Sequence, residues 1–289
     1  MIESFLDSWE LFLQTYLAGW LIALLLSLMG VFVVARDQIF IGIAISQAST
    51  LGIALGMGIG SWLDVHHVTW LDSAGIISND SFLSGMAVLF AIFAALLTAR
   101  RSEAGGESHE AITGWVFLSS ASLSILFVAH SPHGLDEIQR LLSSSLIGAT
   151  NGDVWTFGVL TGGTMLALAI AHRRLLLFAM DPPMAAAVGM RVTRWSAGTA
   201  IWIGLVIGLA MRVSGMLYTF GLLVLPALVA KNVCREVRTV FFVSPMIAIS
   251  VGTIGFVLAN HYDFPPAQMT VALLSGLLTL GWLYQRRQS

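Results

Sequence analysis

The sequence predicts an all-α polytopic membrane protein with about nine transmembrane helices. Three observations indicate this fold class: 57% of the 289 residues are hydrophobic, only 10% are charged, and the mean hydropathy is +0.85. A soluble domain carries roughly 25% charged residues, and here the few charges lie between long apolar runs. A transmembrane β-barrel would instead show alternating strands of about 10 residues, a pattern that this sequence lacks.

Apolar runs that approach the length of a membrane crossing, about 20 residues, recur along the whole chain. The seventh run follows the sixth almost without a loop and contains Pro226, which can bend or interrupt a helix, so eight spans are an alternative to nine. The connections are too short to build cores of their own, and we expect residues 1–289 to form one transmembrane domain. The predicted spans are residues 11–35, 39–60, 82–99, 111–129, 154–171, 195–211, 213–230, 240–260 and 267–284.

The distribution of charge predicts the orientation of the chain. With the N-terminus outside, all of the 14 Lys and Arg residues except Arg140 and Arg212 fall on the cytoplasmic side, whereas many of the acidic residues gather outside. This segregation follows the positive-inside rule and predicts an N-out, C-in protein. We expect it to be a multi-pass protein of the cell (inner) membrane. The only lysine, Lys231, is not part of a Walker A loop, so the chain has no P-loop of its own for ATP.

The second span carries polar residues at its centre, where lipid offers them no hydrogen-bond partner. Ser46, Gln47 and Thr50 lie halfway along it, beside small residues that recur every fourth position from Ala44 to Gly60. One interpretation is close helix packing with a few hydrogen bonds between helices. The other is a helix that lines a hydrated translocation path, which Gln47 favours because its amide has donors and an acceptor to satisfy.

Residues 180–192, between the fifth and sixth spans, carry the signals of a short helix. Asp181 is a good N-cap, Pro182 suits the first helical position, and Gly189 suits the left-handed residue that closes a helix. Such a helix is either a docking element for a soluble partner or an ordinary surface turn.

Histidines and acids in the outer loops are candidate metal ligands, because imidazole and carboxylate groups bind transition metals. The candidates are the His66–His67 pair and His261 with Asp263. Loops also carry such residues without any ligand role, so this prediction depends on whether the fold gathers them.

Residues 30–52, GVFVVARDQIFIGIAISQASTLG, resemble the permease subunits of ATP-binding-cassette importers for zinc, manganese and iron. The likeness continues in DPPMAAAVGMRV from Asp181, in SGMLYTFGLLVLPALVA from Ser214 and in YDFPPAQMTVALL near the C-terminus. The matching positions of the first segment are Gly30, Arg36, Gly42, Ala44, Ser46, Ala48 and Gly52.

The resemblance implies a metal-importer permease that is not itself an enzyme and has no cofactor of its own. It implies a homodimer, an extracytoplasmic solute-binding protein that delivers cargo, and a cytoplasmic P-loop ATPase that hydrolyses ATP; no nucleic acid is involved. The coupling residues by this likeness are Asp181, Ala186, Ala187 and Gly189.

Three substitutions separate the chain from the pattern that it resembles, one of them Leu51 in place of the family's proline. Ile43 and Gln47 occupy the positions of the family's aspartate and histidine, which are natural ligands for a divalent cation. An ABC permease with a non-metal or altered cargo therefore stays an alternative, as does a secondary transporter or channel. The second alternative is disfavoured because such proteins usually place ionisable residues within their spans, and these spans contain almost none.

Overall fold

The computed structural model describes residues 9–65, 80–99, 108–129, 146–234 and 236–286. All regular structure in these ranges is helical, and eight of the helices are long and apolar enough to cross a membrane. The helices are α1 (Trp9–Ala35), α2 (Ile41–Val65), α3 (Asp80–Ala99), α4 (His109–Val128), α5 (Asn151–Met180), α6 (Pro182–Ala187), α7 (Val192–Val233), α8 (Val237–Tyr262) and α9 (Pro266–Arg286), with a 3-10 turn at Leu146–Gly148.

Every predicted span lies within a helix or extends past its ends by at most two residues, but the sixth and seventh share one. The 42 residues of α7 would extend over roughly 60 Å, about twice the hydrocarbon thickness of a bilayer. Gly215, at φ 74° and ψ 172°, has a non-helical backbone and divides α7 into residues 192–214 and 216–233. Each part has enough residues for a crossing of its own. Eight long helices can therefore provide nine spans, because α7 contains two of them.

Pro226 does not interrupt the seventh span, and the expectation of a break there is wrong. The helix continues past Pro226 to Val233, and the non-helical residue is Gly215 instead. Proline is tolerated inside membrane helices because neighbouring helices and side chains satisfy the freed carbonyl. A glycine without a Cβ adopts positive φ at little cost, so the interruption lies at the glycine.

Contacts between Cα atoms divide the chain into two compact units, and the division falls within α7 after Arg212. The first unit contains α1, α5, α6, the second part of α7, α8 and α9. Most of α1 is buried in this unit, and it approaches α7 so closely that a Cβ on Gly30 would lie 1.7 Å from the Leu223 carbonyl oxygen. Tyr218, also fully buried, donates a 3.1 Å hydrogen bond to the Gly19 carbonyl oxygen of α1.

The second unit contains α2, α3, α4 and the first part of α7. Its α2 is as buried as α1, and it packs against both α3 and α4. Gly204 and Gly208 bring the first part of α7 against the backbone of α3, next to Ala91 and Val88.

α5 is longer than the span predicted for it. The apolar run 154–171 predicted a crossing, but the helix continues to Met180 and carries His172, Arg173 and Arg174 on its last turns. Leu175 and Phe178 hold this extension because they are buried, and the Arg36 guanidinium lies 4.6 Å from the centre of the Phe178 ring. Most of the connection predicted between spans five and six is thus helical.

Candidate functional site

The polar centre of α2 is buried inside the protein. Ser46 and Thr50 are fully buried, and the Gln47 side chain is only 8% exposed. The three residues predicted to line a path therefore do not face lipid, whose core offers polar groups no partners. Ile43, one helical turn before Gln47, is partly buried.

The hydroxyl groups of this centre bond to their own helix. Ser46 Oγ donates to the Gly42 carbonyl oxygen at 2.8 Å, and Thr50 Oγ1 donates to the Ser46 carbonyl oxygen at 3.2 Å. A hydroxyl has one hydrogen to donate and two lone pairs to accept with. Both side chains have used the hydrogen, so what they offer to any other group is an acceptor oxygen.

Ser49 is a further polar residue of this centre that the sequence did not single out. Its Oγ is fully buried and has no hydrogen-bond partner within the residues that the structure describes. Leaving a buried hydroxyl unpaired costs about 1–3 kcal/mol. Nothing in the sequence distinguishes Ser49 from its neighbours, because the difference arises from the packing around each hydroxyl.

The small residues of α2 pack against α3 of the same chain. A Cβ on Gly52 would lie 2.4 Å from the Met86 carbonyl oxygen, closer than real Cβ contacts allow. The close helix packing that the small-residue stripe predicted is thus present at Gly52. The other interpretation, a helix that lines a hydrated path, stays a prediction.

The predicted short helix at residues 180–192 is α6, and its ends have the predicted geometry. The Asp181 carboxylate accepts a hydrogen bond from the Met184 amide at 2.9 Å, with Pro182 and Pro183 in the first turn. At the other end Gly189 has φ +83°, its amide donates to the Ala186 carbonyl, and the Met190 amide donates to the Ala185 carbonyl. This pair of bonds is a Schellman motif, the usual closure at a left-handed glycine.

α6 presents apolar side chains on its outer side. Ala185 is fully buried and anchors the helix, whereas Met184 is 53% and Val188 is 61% exposed. Ala186 and Ala187, the two predicted coupling residues inside the helix, are exposed as well. The result is a short, doubly capped helix with an exposed apolar surface.

The candidate metal ligands are not gathered into a site within the described ranges. His66 and His67 lie outside those ranges. His261 and Asp263 are both exposed, and no group of three or more His, Cys, Asp or Glu side chains comes together among the described residues. The His261 ring packs 4.8 Å from the Tyr262 ring, and Asp263 ends α8 with φ 56°. The roles of these two residues in metal binding stay predictions.

Arg212 lies three residues before Gly215, near the end of the first part of α7. Its guanidinium donates a hydrogen bond to Ser84 Oγ of α3. The contact ties the end of the first part of α7 to a helix of the same unit.

Comparison with known proteins identifies relatives along nearly the whole chain. The manganese import system permease protein ScaB of Streptococcus gordonii is 24% identical, over 87% of this chain and 82% of its own length. The manganese transport system membrane protein MntC of Halalkalibacterium halodurans is 21% identical, over 95% of this chain and 87% of its own. Among solved structures, a chain of PsaBC from Streptococcus pneumoniae in complex with Fab has the same fold, with a TM-score of 0.78 at 18% identity, covering 98% of this chain and 95% of that one.

The sequence profile of one protein family matches almost the whole chain. The profile of the ABC 3 transport family matches residues 8–285, which include α1 to α9 nearly in full. The resemblance seen in the sequence is thereby confirmed. The chain belongs to the ABC 3 transport family, as a membrane-spanning permease.

Proposed function

We propose that this chain is the permease subunit of an ATP-driven importer of a divalent metal ion, with manganese the best match to its residues. Relatives over most of its length are named as manganese import permeases. In this proposal residues 1–289 form one permease domain of the inner cell membrane, N-out and C-in, and two copies form the path. A solute-binding protein delivers the ion from outside, and a cytoplasmic ATPase subunit hydrolyses ATP.

The observation that carries the proposal is α6. A six-residue helix between two spans, closed at both ends and anchored by buried Ala185, holds exposed Met184 and Val188 in fixed positions. Exposed apolar side chains on a rigid element are what a protein partner can bury. Asp181 and Gly189 act in this proposal by fixing the helix, and Ala186 and Ala187 act by letting a partner surface approach.

The charges around α6 support a cytoplasmic location for this helix. Four arginines flank it in sequence, and all four side chains are exposed. Positive charge concentrates on the cytoplasmic side of membrane proteins, which is also where ATP is available. These arginines are Arg173, Arg174, Arg191 and Arg194.

The polar centre of α2 supports a hard cation as cargo. The Ser46 and Thr50 hydroxyls donate their hydrogens to carbonyls of their own helix and offer other groups only acceptor oxygens. Gln47 adds an amide carbonyl. Acceptor oxygens suit a cation that keeps part of its water shell, because the water molecules donate outward. Manganese and magnesium prefer oxygen ligands, whereas zinc prefers imidazole and thiolate. With isoleucine and glutamine at positions 43 and 47, this centre therefore favours manganese over zinc.

A charge on the exposed surface of α6 tests the proposed docking. The chain is co-expressed with its proposed ATPase partner, and Ala186→Glu and Val188→Glu are compared with the conservative Val188→Leu. A charge left buried and unpaired at an interface costs roughly 2 kcal/mol or more. We therefore expect at least about a tenfold loss of ATPase co-purification and of manganese uptake for the glutamate variants, and near-normal values for Val188→Leu.

Gly189 is not a suitable position for a substitution that tests docking. Its φ of +83° strains any other residue, at roughly 1–2 kcal/mol, so a substitution changes the helix as well as its surface.

Normal uptake by Val188→Glu would refute the docking role of α6. Manganese uptake by the purified chain alone in liposomes, without ATP, would refute the ATP-driven mechanism and favour a secondary transporter or channel.

A further inference from the structure

A groove of about 570 Å³ opens between α1, α5 and α8 of the first unit, apart from the polar centre of α2. Its walls are apolar, with buried Leu28 and Phe32 of α1 at its base. Phe242 of α8 lines one wall and is 75% exposed, so the groove is open to the surroundings of the helices. Its size lies within the roughly 300–1,000 Å³ typical of ligand pockets.

Two basic side chains, His172 of α5 and Arg238 of α8, line the otherwise apolar groove. Contacts with α1 show that they lie towards the same end. Ser244 bonds to Ser27, and Phe256 packs on Tyr16, so α8 runs antiparallel to α1.

α5 runs in the opposite sense to α8. Thr161 bonds to the Leu21 carbonyl, and Phe178 lies under Arg36, so α5 runs parallel to α1. The C-terminal part of α5 and the N-terminal part of α8 therefore both lie near the end of α1 at Ala35, which the charge distribution predicts to be cytoplasmic.

The apolar part of the groove extends from the basic pair towards the middle of the spans. On α5 it reaches Met165, seven residues from His172, and on α8 it reaches Pro245, seven residues from Arg238. Seven residues of helix rise roughly 10 Å. Both helices are candidate membrane spans, so this part of the groove lies at the depth of lipid tails while the basic groups lie near the headgroups.

The basic groups at the mouth are available to an anion. The Arg238 side chain is exposed, and within the ranges that the structure covers no ion pair or hydrogen bond engages it. His172 Nδ1 lies 3.3 Å from the Ala169 carbonyl oxygen of its own helix. In the protonated imidazolium both ring nitrogens donate, so Nε2 donates to an anion while Nδ1 bonds to that carbonyl.

We propose that this groove binds an anionic phospholipid of the cytoplasmic leaflet. The phosphate contacts Arg238 and His172, and part of one acyl chain lies over Leu28 and Phe32 between α5 and α8. A basic pocket between membrane helices on the cytoplasmic side is the chemistry that recognises acidic headgroups. The combination of one charged end with an apolar floor at tail depth fits a lipid better than a water-soluble anion, which would gain nothing from the apolar walls.

Lipid retention measured by native mass spectrometry tests the proposal. The purified chain is exchanged into phosphatidylglycerol or phosphatidylcholine, and bound lipids are counted after release from the detergent micelle. We expect preferential retention of phosphatidylglycerol and about a fivefold loss of it in Arg238→Gln, since a basic residue near the surface contributes roughly that factor. Arg191→Gln, an exposed arginine that does not line the groove, is the matched control and should retain lipid normally.

A second variant tests the apolar part of the groove. Ala169→Phe fills the space between α5 and α8 and should reduce phosphatidylglycerol retention while Arg238 is intact. Equal retention of both lipids, or no change in Arg238→Gln, would overturn the proposal. Occupation of the groove by a second copy of the chain would also overturn it. A Met165→Cys variant in a Cys234→Ser background would then form a cross-linked dimer in membranes. None of these readouts depends on the cargo or on an ATPase.

Discussion

Replacing Gly30 by alanine should destabilise the contact between α1 and the second part of α7. The added Cβ would lie 1.7 Å from the Leu223 carbonyl oxygen and 2.8 Å from its carbonyl carbon, and both are backbone atoms that no rotamer change can move. Real Cβ contacts stay beyond 3.0 Å, so the two helix backbones must separate by more than an ångström. Overpacking of this kind costs roughly 1–3 kcal/mol.

The loss is measurable as a change in melting temperature in one detergent, followed by size-exclusion chromatography with fluorescence detection. At about 2–4 °C per kcal/mol for a chain somewhat smaller than this one, Gly30→Ala should melt roughly 2–12 °C below the wild type. Gly162→Ala is the matched control, because its Cβ meets no atom within 4 Å. Alanine there should be neutral or stabilising by up to about 1 kcal/mol. Unchanged melting of Gly30→Ala, with the control behaving as expected, would refute the close approach of the two helices.

Three further predictions concern α6 and α2. Asp181→Ala removes a helix cap worth about 0.5–2 kcal/mol, so hydrogen exchange at the α6 amides should quicken roughly 2- to 30-fold, with other helices unaffected. Ser49→Ala removes an unpartnered hydroxyl and should leave the melting temperature unchanged or higher; a clear fall would mean that water or another group satisfies it. Gly52→Ala should lower the melting temperature because its Cβ would meet the Met86 carbonyl oxygen, whereas Gly85→Ala, with open space around it, should not.

Local signals in the sequence were sufficient to predict α6. The roles of Asp181, Pro182 and Gly189 depend on residues within one helical turn, so no knowledge of the rest of the fold is needed. The spans were predicted for a related reason: a bilayer requires long apolar helices, and long runs are easy to recognise.

The features that were missed depend on contacts between distant residues. The boundary of the sixth and seventh spans was predicted at Arg212, and the non-helical residue lies three residues later, at Gly215, and not at Pro226. Nothing local marks Gly215 among the 28 glycines. The extension of α5 depends on the burial of Phe178 beneath Arg36, which directly follows α1. The groove needs three helices together, and in the sequence His172 and Arg238 were only two of the residues at span ends.

The closure of α6 at both ends has a consequence for attempts to imitate it. Isolated helices shorter than about 12–15 residues are marginal in water, and α6 has six residues. A linear synthetic peptide copied from residues 180–192 would lose the surroundings that bury Ala185 and would be mostly unfolded. Such a peptide would compete poorly for a binding partner, and a useful mimic would need a covalent staple that reproduces the two caps.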